Sequence, residues 1–309
     1  MQYFHKSVLL EEAVNGLDVK EDGIYVDATG GAGGHAREIQ RRLGDRGKLV
    51  IIDRDPDAVE VLTDGFKEFE RVSVVRANFC DIREVLDSLG IEKIDGVLMD
   101  LGVSSFQLDN AGRGFCYNAD AALDMRMEKD GVSAKDVVNG YPLPVLVKIF
   151  RDYGEERFAF RIAENIGRRR RKSPIETTQE LVRIIEDSIP AAARKRGGNP
   201  SKRVFQAIRI EVNNELDSLK LGLDAGFERL DSGGRLCVIA FHSLEDSLVK
   251  ESFRRFVGGC ICPADFPVCS CGKKIAAEII TKGAVTPCEE EIRDNKRSRS
   301  AMLRVIKKI

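Results

Sequence analysis

The chain has no apolar run approaching the length of a membrane span, no internal repeat and no low-complexity segment, and its net charge is −1. Those absences argue against an integral membrane helix and a repeat architecture. Aromatic residues are sparse at 6%, and histidine occurs only three times. The opening "MQYFHKSVLLEEAV" places Glu11 and Glu12 where an export signal requires apolar and then small residues, so a cytoplasmic protein is expected. In that reducing compartment the eight cysteines are expected to be thiols or metal ligands before disulfides.

What is present is an ordinary globular composition, 43% hydrophobic and 32% charged, over 309 residues, about two domains in length. The near-zero net charge hides a local imbalance. Between Arg151 and Arg209 there are fifteen Lys/Arg and eight Asp/Glu, with basic clusters at Arg168–Lys172, Arg194–Arg196 and Lys202–Arg203. Such clusters form either a solvated helical face or a phosphate-binding surface.

Four β-branched apolar runs, Gly23–Ala28, Lys48–Asp53, Val72–Ala77 and Ile94–Asp100, are separated by helix signals such as Asp55 at an N-cap with Pro56 behind it. Repeated strand–helix–strand units predict a doubly wound parallel sheet. From about Gln107 to Glu215 the text turns to amphipathic helices, the last a continuous run from Val204 to Leu230, and strand signals return at Gly234–Phe241, in "EIITKG" and in "AMLRVIKKI". The expected organisation is a sheet domain over 1–106 and 216–309, with an inserted basic helical domain over 107–215.

"DATGGAGGHA", Asp27 to Ala36, follows the first strand and opens a helix. Glycines there admit a ligand close to the backbone, and the helix start offers unpaired N–H groups to an anion. Asp53, at the end of the second strand, stands where an acid can receive ribose hydroxyls. A dinucleotide such as NAD and S-adenosylmethionine (SAM) both fit. Asp27 favours SAM, since a carboxylate at the first strand tip repels a pyrophosphate but attracts an ammonium or sulfonium; otherwise it only caps the turn. His35 either touches the ligand or is a polar surface residue. Phe79, just past the third strand, either stacks on an adenine or is core, and Asp81 can accept from the adenine amine. Asp100 ends the fourth strand, followed by a loop carrying Phe106, Gln107, Asp109 and Phe115. His242 follows the fifth strand, where Ser243 and Asp246 read as a capping box.

Taken together, "HKSVLLEEAVNGL", "DATGGAGGHAREI", "IDRDPDAV", "MDLGVSSFQLD", "GRGF", "LDMRM", "NPSKRVFQAIRIEVNNEL", "AFHSLEDSLVK" and "NKRSRSAMLRV" resemble, in order, the bacterial 16S ribosomal RNA cytosine-N4 methyltransferases encoded in the cell-division cluster. The resemblance implies an α/β, class I SAM-dependent methyltransferase fold with an inserted α-helical domain. It further implies methylation of a cytidine in the decoding region of 16S rRNA, within the small (30S) subunit. By the same resemblance, SAM contacts fall on Gly33, Gly34, His35, Asp53, Phe79, Asp100 and Gln107. Asp100 is the candidate for holding the cytosine amine, and His242 for accepting its proton. The flipped base would stack on Phe106 or Phe115.

Two departures matter. Ser247 stands where the family usually has arginine, and the N-P-P-aromatic tetrapeptide of many amino-methyltransferases is absent. Cys260, Cys262, Cys269 and Cys271 offer four thiolates to zinc, but their C-x-C spacing is tight and the family implies no metal, so none is expected. No membrane partner is expected, and the sequence leaves a homodimer open. Two rival readings are a nicotinamide oxidoreductase and an assembly factor that keeps SAM as a structural ligand.

Overall fold

The computed structural model describes residues 7–196, 199–258 and 275–309. The four candidate zinc cysteines therefore lie outside the described residues. The chain separates into two compact units, one formed by Met1–Gly102 with Leu216–Ile309 and the other by Val103–Glu215.

The first unit is built on strands β1 (Ile24–Asp27), β2 (Lys48–Asp53), β3 (Val72–Arg76), β4 (Ile94–Asp100), β5 (Leu230–Ala240), β6 (Ala277–Ile279) and β7 (Met302–Lys308). They form one sheet in the order β3-β2-β1-β4-β5-β7-β6. Pairing is parallel from β3 through β5 and antiparallel from β5 to β7 and from β7 to β6. This seven-strand order with a reversed penultimate strand is the class I methyltransferase sheet that the resemblance implies.

Both faces are covered, which explains why the strands read as continuous apolar runs. Val26, Val50, Ile52, Val97, Met99 and Val238 face one core, and Tyr25, Leu49, Ile51, Leu98, Cys237 and Ile239 the other. β5 begins at Leu230, four residues before the predicted start. "DSGG" reads as a turn, but here the chain stays in the sheet through an irregularity opposite Ile94 and Gly96, with Gly233 at φ 86°.

Strand order reverses between β1 and β4, so the crevice for a ligand lies past their carboxyl ends, where Asp27, Asp53, Asp100 and Ala240 terminate their strands.

The second unit is helical, with its own core of Phe150, Ile162, Ile166, Leu181, Val204 and Ile208 among others. The predicted continuous helix from Val204 to Leu230 is interrupted. Asn214 adopts a left-handed conformation, φ 47°, and divides it into Ser201–Asn213 and Glu215–Arg229. Asparagine tolerates that conformation, and the break has a local use. The buried Asn213 amide donates to Met125 O and Arg209 O, and its Oδ1 accepts from Met127 N, joining two motif blocks far apart in sequence. Among the described residues no helix is long and apolar enough to cross a membrane.

Candidate functional site

β1 ends in a carboxylate that is almost wholly buried. Asp27 is 1% exposed; its Oδ1 accepts from Thr29 N at 3.2 Å, while Oδ2 has no partner. Burial pushes its pKa up to about 7, with the Asp53 charge adding to the rise and backbone N–H groups of Thr29 and Ala36 opposing it.

The glycine loop then turns into the helix Gly34–Arg42. Gly33 holds φ 81°, and at Gly34 a Cβ would stand 2.0 Å from Ser7 Oγ, so the N-terminal segment lies directly against the loop. Asp53 braces the loop from β2: its Oδ2 accepts from Gly31 N at 2.7 Å and its Oδ1 from Asp55 N at 2.8 Å. Each oxygen retains a lone pair suited to a hydroxyl. Asp55 and Pro56 take the predicted N-cap and first helical positions of Pro56–Phe66.

His35 is buried rather than a surface residue. Its Nε2 lies 3.1 Å from Val8 O, and its Nδ1 lies 3.6 Å from Asp100 Oδ2. Because a carbonyl can only accept, the proton belongs on Nε2 and Nδ1 presents a lone pair. Burial lowers the ring's pKa to about 4, so the imidazole is neutral. Asp100 N donates to Thr29 Oγ1 at 2.6 Å, and its Oδ1 has no partner. Burial, then the charges of Asp27 and Glu245, raise this acid well above its ordinary range.

Phe79 rests on the helix Glu215–Arg229 at Gly222, where a Cβ would meet its ring at 2.6 Å, and it remains half-buried at the edge of the core. Nothing in the sequence flags Gly222, which is an ordinary glycine inside a helical pattern. Thr29, Ser7 and Val8 lie inside the quoted motif blocks, but only proximity gives each its part.

At the end of β5 the cap register differs from the sequence reading. The N-cap of Ser243–Val257 is His242, not Ser243, and its partner is Glu245, not Asp246. Glu245 N donates to His242 Nδ1 at 3.3 Å, while Glu245 Oε2 accepts from Phe241 N at 2.7 Å and His242 N at 3.3 Å. His242 Nε2 is 3.1 Å from Glu245 Oε1, but off the line a hydrogen bond needs. Asp246 instead pairs with Arg304 and Lys250.

Other expected residues fall in the helical unit. Gln107 is buried in the helix Ser105–Asp109, where its Oε1 accepts from Ser104 N at 3.0 Å in a capping box. Phe115 is a core residue of that unit, 6% exposed, which withdraws it as a stacking face; Phe106 is 47% exposed. Within the basic cluster, Arg170 donates to Val138 O and Tyr141 O and Arg169 to Ser173 O, so those two hold structure. Arg171 is exposed.

Two unpartnered, buried carboxylate oxygens beside a glycine loop and a helix start fit a ligand with cationic and anionic groups close together, as in the methionine part of SAM. The MraW methylase family model matches residues 2–309. The chain belongs to the MraW methylase family. SAM is the methyl donor that membership implies, and the site's donor set suits it. Among curated relatives, ribosomal RNA small subunit methyltransferase H of Lachnospira eligens is 54% identical, covering 100% of this chain and 99% of the relative. The protein of the same name from Caldicellulosiruptor saccharolyticus is 53% identical over 99% and 100% of the two chains. That from Clostridium botulinum strain Loch Maree is 50% identical over 100% of both.

Proposed function

We propose that this MraW-family methylase transfers the methyl group of SAM to small-subunit ribosomal RNA, at the exocyclic N4 amine of a cytidine in the decoding region of 16S rRNA. The relatives' names support the ribosomal substrate, and the ordered motif blocks support the N4 amine. The observation carrying the chemistry is the pair of buried, unpartnered oxygens, Asp27 Oδ2 and Asp100 Oδ1, at the strand ends.

In this reading Gly33, Gly34, His35, Asp53, Phe79, Asp100 and Gln107 hold SAM, and Asp27 faces its positive charge. When bound, SAM supplies an electrophilic methyl group. Asp100 accepts a hydrogen bond from the cytosine amine, which localises a lone pair otherwise spread into the ring and orients it. The ionised acid is the stronger acceptor, and a cation in the pocket lowers its raised pKa. The amine proton leaves to His242 or to solvent. In the tautomer its cap requires, the accepting lone pair of His242 is the one that holds Glu245 N, so protonation there costs the cap. Exposed Arg168 and Arg171 contact rRNA phosphates within the 30S subunit, in the cytoplasm.

The test is labelled SAM incubated with small subunits from a strain lacking the mark, followed by nucleoside analysis. N4-methylcytidine is expected. SAM binding without transfer would favour the assembly-factor reading. Asp100→Asn is expected to abolish transfer while SAM still binds; unchanged transfer removes Asp100 from the chemistry.

A further inference from the structure

The peptide group joining Val8 and Leu9 is gripped at both ends. Its carbonyl receives His35 Nε2–H at 3.1 Å, and its N–H donates to Glu291 Oε1 at 2.9 Å. Glu291 comes from the short helix Glu289–Asp294, 282 residues further along the chain, and is itself buried. A glutamate at the third helical position ordinarily folds back on its own N-cap N–H. Here Cys288 Sγ accepts from Glu291 N, while the carboxylate reaches the N-terminal segment instead.

Leu9 sits at φ 50°, ψ 39°, a left-handed conformation that a leucine holds only when its surroundings over-determine it. Its side chain is fully buried and its N–H is taken by Glu291. Because the peptide is planar, relaxation of Leu9 rotates the Val8 carbonyl together with the Leu9 amide. That carbonyl keeps the proton on His35 Nε2 and the Nδ1 lone pair toward Asp100. The same segment places Ser7 against Gly34.

We propose that Glu291 is a positioning residue for the cofactor site, acting through the Val8–Leu9 peptide to fix the tautomer and orientation of His35. This rests on the reading of the glycine loop and His35 as the SAM site. A carboxylate on the amide side also polarises the peptide and strengthens its carbonyl as an acceptor.

The test compares Glu291→Ala, Glu291→Asp and Glu291→Gln with wild type, using SAM titration calorimetry and ¹⁵N NMR of the imidazoles, of which the chain has three. Glu291→Gln keeps an acceptor oxygen at the same reach and is expected to bind SAM within about twofold of wild type. Glu291→Asp and Glu291→Ala are expected to weaken SAM about five- to tenfold, raise KM for SAM with kcat little changed, and shift the His35 ring signals toward a tautomer mixture while those of His242 stay put. If Glu291→Ala does not fold, Glu291→Asp carries the test. Wild-type affinity together with unchanged His35 signals in a folded Asp or Ala variant overturns the proposal, and so does an equal loss in Glu291→Gln. A wild-type protein that binds no SAM overturns the underlying reading, and this inference with it.

Discussion

His35 Nδ1 faces Asp100 Oδ2 across 3.6 Å, with the ring's other nitrogen committed to Val8 O. A lone pair confronting a carboxylate is favourable only when the acid carries the proton, which agrees with the upward displacement of Asp100. His35→Asn is therefore expected to weaken SAM binding about tenfold without removing the residual transfer measured at saturating SAM. Loss of transfer at saturation, with binding intact, would make His35 part of the chemistry.

The pH response follows from Asp27. Its ordinary pKa of 3.8 rises to about 7, so between those values the folded chain holds a proton that the unfolded chain has lost. Its contribution to stability accordingly falls as pH rises through that window, by at most about 1.4 kcal/mol per unit. His35, lowered from 6.5 to about 4, acts in the opposite sense between those two values. Asp100, also raised, adds to the fall, so the net decline is clearest above about pH 6.5. A cationic ligand prefers ionised Asp27, so SAM affinity should increase from pH 6 to 7.5, and Asp27→Asn should reduce both slopes. Calorimetric titrations and melting scans across that range check this; slopes unchanged from wild type in the variant exclude Asp27 as a source.

Gly222→Ala illustrates competition between propensity and packing. In an exposed helix the change would stabilise by about 1 kcal/mol. Here the added Cβ stands 2.6 Å from the Phe79 ring and 3.1 Å from its carbonyl. Thermal unfolding should show lower stability by about 1–2 kcal/mol, and SAM affinity should drop as the ring is displaced. A stabilised variant with normal affinity would show that Phe79 is free to move.

His242 separates capping from proton transfer. His242→Ala should cost about 1 kcal/mol of stability through the lost cap, whereas His242→Asn retains a side-chain acceptor and should largely preserve it. If His242→Asn is stable and fully active, the proton goes to solvent.

Neighbouring arginines should also diverge. Arg170→Ala removes donors from Val138 O and Tyr141 O and is expected to destabilise by about 2 kcal/mol in chemical denaturation. Arg171→Ala should leave stability unchanged and lower the salt dependence of RNA binding by about one unit of slope. If neither variant changes the salt slope, the cluster is a solvated face.

Much of this was legible in the one-dimensional text. β2 and β4 begin and end at the residues the pattern indicated, because a strand buried on both faces must be apolar throughout and must stop at the first polar residue facing the crevice. Asp27, Asp53 and Asp100 could be placed at strand ends for the same reason. The cap at His242 could not, since Ser243 and Asp246 satisfy the same spacing one residue later and only Arg304 decides which acid is free to cap. Phe115 read as a candidate stacking face because the sequence cannot say which side of a loop meets the core.

Sequence alone determined the order of strands and helices, the glycine loop with its acid, and membership of a methylase family, since each depends on residue types at short spacing. Tertiary structure alone decided the protonation geometry of His35, the seat of Phe79 on Gly222 and the reach of Glu291 to Leu9. Those depend on atoms brought within 4 Å across tens to hundreds of residues of chain. Local propensity carries no record of such neighbours, whose effects on charge and orientation arise only once water is excluded between them.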